Sequence, residues 1–212
     1  LQPLVSGNTL YYRKQSQGMY DVLNEQKVSI LPAGCKVKDI IEVNNRFFMV
    51  VNDDQQRTGL MDEVGKYIIQ PEIAQNIMFL NKRIWSVGTY GKIRLMDKNF
   101  KLMSNKWYKE VSILSDSYLM ALDADNGKLD VYDNAGKPIS TGIYETIKTN
   151  NKDAYCGKKS NHMLESCILD SLLNEVRCFQ YEEVFELKSN IGYSIAKDLY
   201  DVGVIKNTGE IF

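Results

Sequence analysis

Thr58-Gly59-Leu60-Met61-Asp62-Glu63-Val64-Gly65-Lys66-Tyr67-Ile68-Ile69-Gln70-Pro71 reads as a strand, a tight turn and a second strand. Leu60 and Met61 are apolar. Asp62 has a short side chain that can bond the backbone two residues on, and Gly65 supplies the positive φ that a hairpin turn wants. The centre of this stretch recurs as Val22-Leu23-Asn24, Leu95-Met96-Asp97, Val131-Tyr132-Asp133, Ile168-Leu169-Asp170 and Val204-Ile205-Lys206. The anchors 24, 62, 97, 133, 170 and 206 are 38, 35, 36, 37 and 36 residues apart. All twelve apolar slots are filled in a chain that is 44% hydrophobic, so chance does not account for the pattern.

The surroundings repeat too. Upstream of the anchors lie β-branched or aromatic runs: Thr9 to Tyr12, Phe47 to Val51, Ile84 to Val87, Tyr118 to Leu122, Ala154 to Cys156 and Ile191 to Ile195. Gly65, Gly136 and Gly209 each fall three residues past an anchor, followed by Lys66, Lys137 or Glu210. Phe100 and Leu173 occupy that slot in the third and fifth copies, which predicts different turns there. The first copy has no glycine in the slot and reaches Lys27 early. A second signature follows as Tyr108-Lys109-Glu110-Val111, Tyr144-Glu145-Thr146-Ile147 and Tyr181-Glu182-Glu183-Val184. Each unit thus holds about four short strands. The best helical candidate, His162 to Leu173, overlaps a repeat strand and is read as strand. One unit cannot bury its faces alone, whereas six side by side can.

These residues resemble the WG-repeat family. Its unit runs Trp-Gly, aliphatic, Ile, Asp, two residues, Gly-Lys, an apolar strand, Pro, then Tyr-Asp-x-Ile. The match is closest at Thr58 to Pro71. The fourth copy keeps Asp133, Gly136, Lys137 and Pro138, and the sixth keeps Gly203, Gly209 and Glu210. The likeness spans nearly the whole chain, but no copy has Trp before its glycine, and that slot holds Tyr20, Thr58, Ile93, Leu129, Ser166 or Val202. The resemblance implies a diverged repeat scaffold and brings no catalytic residues with it.

The expected architecture is all-β: one repeat domain over 1–212, with units at about 9–45, 46–81, 82–115, 116–151, 152–188 and 189–212. A six-bladed β-propeller removes long exposed sheet edges. An open β-solenoid or hairpin array is the alternative. Leu1-Gln2-Pro3 echoes Ile69-Gln70-Pro71, so residues 1–8 are candidates to close the last blade.

The charge, 26 Lys+Arg against 27 Asp+Glu, argues against a nucleic acid or an anionic membrane held by bulk electrostatics. The longest apolar runs, Phe47 to Val51 and Tyr118 to Leu122, are strand-sized, so no membrane-spanning segment is expected. His162 is the only histidine and falls in a polar stretch, where a surface loop is the default role.

Cys156, Cys167 and Cys178 are spaced 11 and 11. A turn at Ser171 to Asn174 places Cys167 opposite Cys178, within disulfide range, and a turn near Asn161 brings Cys156 near Cys167. Small apolar filling is the competing reading, and Cys35 stands alone. The spacings match no common zinc motif, so no metal and no cofactor are expected. Asp123-Ala124-Asp125-Asn126-Gly127 puts its glycine one position too early for a calcium loop and reads as a hairpin turn. The recurring Asp62, Asp97, Asp133 and Asp170 read as turn formers rather than a catalytic ring.

Trp107, Tyr108 and Tyr90 are the binding candidates, because aromatic side chains dominate recognition hot spots. Blade packing is the competing role for them. Repetition without a unique catalytic cluster points to a non-enzymatic binding or scaffold module. Its partner would be a protein or a glycan, met on a loop face. The alternative is a glycan-processing hydrolase or lyase using carboxylates in a central funnel, which requires two unpaired acids from different blades converging at roughly 5–10 Å. An exported location (periplasmic, cell-surface or secreted) is expected from the disulfide candidate and from an opening Leu1 consistent with a removed leader, and cytoplasmic residence stays open.

Overall fold

The computed structural model describes residues 2–7, 9–16, 19–151, 154–159, 165–179, 183–186, 193–197, 202–206 and 210. His162, Tyr181, Glu182, Ile191 and Gly209 lie outside the described residues. The chain divides into two compact units, Leu1–Leu102 and Met103–Phe212. Among the described residues every regular element is a strand and every pairing is antiparallel between sequence neighbours. The candidate helical stretch contains the strand Ser166–Asp170 instead. No helix is long and apolar enough to cross a membrane among the described residues.

The first unit holds β1 (Gln2–Ser6), β2 (Thr9–Ser16), β3 (Met19–Leu23), β4 (Lys36–Val43), β5 (Arg46–Asn52), β6 (Thr58–Met61) and β7 (Tyr67–Glu72) in one meander. It continues with β8 (Asn76–Leu80), β9 (Ile84–Thr89) and β10 (Lys92–Met96). β1 pairs with β2, from Gln2 opposite Arg13 to Ser6 opposite Thr9.

Strand β5 shows how the first unit is packed. Phe47-Phe48-Met49-Val50-Val51 are all buried, as a strand covered on both faces demands. Phe47, Met49 and Val51 join one cluster with Tyr11, Val22, Val37 and Met61. Phe48 and Val50 point the other way, into a cluster with Leu60, Ile77, Trp85 and Val87. The period-2 alternation thus divides one apolar run between two cores. Trp85 is fully buried, with ring centroids 4.5 Å from Phe79, 5.6 Å from Phe48 and 5.2 Å from Phe100.

The second unit holds β11 (Tyr108–Ser115), β12 (Tyr118–Asp123), β13 (Leu129–Asp133), β14 (Pro138–Asn151), β15 (Ala154–Lys159), β16 (Ser166–Asp170) and β17 (Glu175–Phe179), again a meander. β18 (Glu183–Glu186), β19 (Tyr193–Lys197) and β20 (Val202–Lys206) form a three-stranded sheet. β14 serves two neighbours: residues 138–144 pair with β13, and 144–151 pair with β15. The core of this unit gathers Tyr118, Leu129, Val131, Tyr144, Ile147, Tyr155, Cys167 and Leu169.

The four aspartate anchors act alike. The Asp62 carboxylate accepts from the amides of Val64 (3.1 Å) and Lys66 (2.9 Å). Asp97 does so from Asn99 (2.8 Å) and Lys101 (3.0 Å), Asp133 from Ala135 (2.8 Å) and Lys137 (2.9 Å), and Asp170 from Leu172 and Asn174 (both 2.8 Å). Asn24 accepts from Val28 at 2.9 Å. The turns expected to differ do not. Phe100 and Leu173 have φ of 64° and 63°, against 80° at Gly65 and 81° at Gly136, and Lys27 stands in the same slot with φ 59°. All five donate their amide to the anchor carbonyl at 2.9–3.1 Å. The side-chain acceptor holds the turn strongly enough that glycine is dispensable there. At Gly65 a second constraint applies, since a Cβ would lie 2.2 Å from the Ile30 carbonyl oxygen.

Candidate functional site

Strands that close three of the repeats share one distortion. β4, β11 and the second half of β14 each carry a register shift just past a buried residue: between Val37 and Asp39, Tyr108 and Glu110, and Tyr144 and Thr146. The residue skipped by the ladder is Lys38, Lys109 or Glu145. A β-bulge of this kind re-aims side chains. In the second unit it leaves the two tyrosine hydroxyls aimed at acids.

Tyr108 is 0% exposed, and its hydroxyl lies 3.1 Å from Asp130 Oδ2, 2.6 Å from the Tyr132 hydroxyl and 2.8 Å from Ser104 Oγ. Asp130 is also 0% exposed. Lys106 Nζ donates to it at 2.8 and 3.0 Å and reaches Asp123 Oδ2 at 3.1 Å. Burial works to lower the Lys106 ammonium, but Asp130 and Asp123 outweigh it and hold the pKa above the usual lysine value. Burial works to raise Asp123; the Asp125 amide and Lys106 pull it below the usual carboxylate range. Burial pushes the Tyr108 phenol up. The next repeat builds a related set: Tyr144 donates to Glu175 at 2.8 Å, and Lys159 meets the other Glu175 oxygen at 3.0 Å. These acids have partners that consume their lone pairs, so chemically they orient strands rather than poise a proton.

Beside this network opens a cleft of about 300 Å³. Met120, Leu122, Leu129 and Ile147 make it apolar, while Glu110, Ser112, Glu145, Thr146 and Lys148 supply its polar lining. Glu110 and Ser112 come from β11, and Glu145 to Lys148 from the second half of β14. The two strands are tied further along, where Thr149 Oγ1 lies 3.4 Å from the Leu114 carbonyl, and β15 joins them through the Tyr155 hydroxyl, 3.1 Å from Ser115 Oγ. Glu110, Glu145 and Lys148 are exposed, and no ion pair involves them among the described residues.

The sequence-predicted residues scatter. Tyr90 is 75% exposed, with φ 51°, at the tip between β9 and β10 in the first unit. Trp107 is half-buried in the second unit, its carbonyl accepting from Ala124 at 2.8 Å. Tyr108, fully buried, has no ring face to offer a ligand. Cys167 and Cys178 face each other across β16 and β17 and form a disulfide, whereas Cys156 pairs with Ile168, one register away. Glu165 has a carboxylate oxygen within 4.8 Å of both sulfurs, but the disulfide leaves no thiolate to bind a metal. Cys35 Sγ lies 3.2 Å from the Tyr67 hydroxyl. Asp123 folds onto its own loop, accepting from the Asp125 amide at 2.9 Å, as a turn does. Sequence reasoning missed Lys106 and Asp130. A charged residue inside Leu129-Asp130-Val131-Tyr132 was the available signal, because a buried strand tolerates an acid only with a partner.

No family model and no curated protein matches the chain. Solved structures similar to it include BamB from Moraxella catarrhalis (13% identity, TM-score 0.36, 99% of this chain and 71% of that one). Another is Hsv2 from Kluyveromyces lactis (12%, TM-score 0.38, 95% and 70%). A third is a eukaryotic initiation factor (9%, TM-score 0.46, 95% and 61%), of which this chain spans less than two thirds.

Proposed function

We propose that this chain is a non-enzymatic binding module, a diverged WG-repeat protein whose six repeats complete a six-bladed β-propeller and whose partner is a protein or a glycan. The observation that carries the reading is the state of the acids. The most buried carboxylates, Asp123 and Asp130, share the Lys106 ammonium, and the anchor carboxylates Asp62, Asp97, Asp133 and Asp170 are engaged by turn amides. What the cleft presents is apolar surface and exposed charge, the makings of recognition. The disulfide supports an exported location, because such bonds persist in oxidising compartments.

A second reading has one observation behind it: Glu110 and Glu145, from adjacent repeats, line the same cleft, as a carboxylate pair in a glycan-processing hydrolase does. Both are exposed, whereas a general acid needs burial to hold its proton near neutral pH. Screening the purified chain against glycan and peptide arrays, alongside reducing-end release from a polysaccharide panel, separates the readings. Array binding without turnover fits the module. Turnover that disappears in both Glu110→Gln and Glu145→Gln overturns it.

A further inference from the structure

The cleft narrows the choice of partner for the binding module, and the peptide assignment rests on that binding role. Its lining residues include no aromatic ring, so it lacks the flat face on which a sugar stacks. Its apolar floor of Met120, Leu122, Leu129 and Ile147 suits an aliphatic side chain instead. At the rim the repeats differ in charge. At the bulge position the first and third repeats carry Lys38 and Lys109, and the fourth carries Glu145. Glu110 lines the same cleft from β11. An architectural need would call for the same residue in each copy; an acid where two other copies carry Lys, beside a second acid and with no ion-pair partner among the described residues, is surplus to the fold.

We propose that this cleft takes an extended peptide segment, one aliphatic side chain entering the floor and a Lys or Arg two residues to either side meeting Glu110 and Glu145. Period two is the physical reason for the spacing. In an extended chain residues i−2, i and i+2 point the same way, about 7 Å apart. A leucine directed downward therefore brings its second neighbours to opposite rims. The contribution of the rim is electrostatic and partly screened, so it sharpens choice of sequence more than it adds affinity.

The test uses the full chain and three fluorescein-labelled peptides: Lys-Ser-Leu-Ser-Lys, Glu-Ser-Leu-Ser-Glu and Lys-Ser-Ser-Ser-Lys. Fluorescence anisotropy reads their binding at low and at physiological salt. The first peptide binds tightest, by about tenfold over each of the others, and weakens as salt rises. The paired substitution Glu110→Gln with Glu145→Gln reduces its affinity about tenfold, while Lys148→Gln does not reduce it. All three positions are exposed, so circular dichroism of the variants should match the parent. Equal binding of the three peptides, no binding of the first, or indifference to the paired substitution overturns the proposal. If the arrays still return a glycan ligand, the binding reading stands without it.

Discussion

Substitutions in the slot three residues past each anchor should separate strain from packing. Lys27, Gly65 and Phe100 hold the same left-handed conformation, with φ of 59°, 80° and 64°. A side chain there costs about 1–2 kcal/mol, and glycine gives back about 0.5–1 through the freedom it loses on folding. Lys27 is exposed, so Lys27→Gly sheds strain without losing packing and stabilises the first unit by about 0.5–1 kcal/mol. Phe100 has its ring 5.2 Å from both Phe48 and Trp85, so Phe100→Gly forfeits about 3 kcal/mol of packing against about 1 regained, a net loss near 2. Gly65→Ala sets a methyl 2.2 Å from the Ile30 oxygen as well as straining φ, and should cost more than 2 kcal/mol, by about the scale of an incompatible glycine replacement. Urea unfolding followed by tryptophan fluorescence suits all three variants, because Trp85 lies in the same unit's core. A lower midpoint for Lys27→Gly, or a Phe100→Gly protein as stable as the parent, would refute the claim that the Asn or Asp anchor side chain fixes one turn in the first five copies.

Three further outcomes concern the buried charges and the cysteines. Lys106→Met strands Asp130 and Asp123 and should cost about 3–5 kcal/mol, most of it recovered when Asp130→Leu is added; urea midpoints of the two singles and the double read the coupling. Hydrogen bonding from Asn174 holds the Asp170 carboxyl below its ordinary value; burial works to raise Glu63, and the Arg46 fork (2.9 Å on both oxygens) outweighs it and lowers it. Their folded pKa values lie below the unfolded ones, so this stability is whole above about pH 5 and fades as pH falls through the folded values, which a urea midpoint series from pH 7 to 3 should show as a plateau and then a decline. In denaturant without reductant two thiols, those of Cys35 and Cys156, should titrate, and four after reduction; Cys178→Ser should lower the unfolding free energy by up to about 3 kcal/mol.

The repeat was legible because its cause is local. An anchor residue that accepts from amides two and four positions on needs only its own neighbours, so it marks the sequence wherever it occurs. The same economy misleads at Phe100 and Leu173, where the missing glycine suggested a different turn. There the Asp supplies what the glycine would have given, and the side chain has a second use, Phe100 against Trp85 and Leu173 in the core of the second unit. The Lys106 cluster and the cleft were hidden for the opposite reason. Lys106 and Asp130 are 24 residues apart and occur once, so a search for recurrence passes over them. Glu110 and Glu145 appeared within the tyrosine signature, but their shared cleft depends on how two closing strands separate, which no local pattern encodes.

That contrast bears on where a repeat protein keeps its function. Positions filled alike in most copies are held by a need those copies share, here the turn, and a ligand that met them would meet them several times over. A position free of that need drifts unless something else selects it. Val37, Tyr108 and Tyr144 precede the same bulge, yet the two tyrosines in the second unit direct their hydroxyls to different acids, Asp130 and Glu175. The bulge residue itself goes from Lys38 and Lys109 to Glu145. The backbone is kept across these repeats while the chemistry presented from it changes sign. The bulge therefore works as a mount, fixed by pairing on one side and free to carry a different charge on the other, and in the copy that carries Glu145 that charge is turned to the cleft.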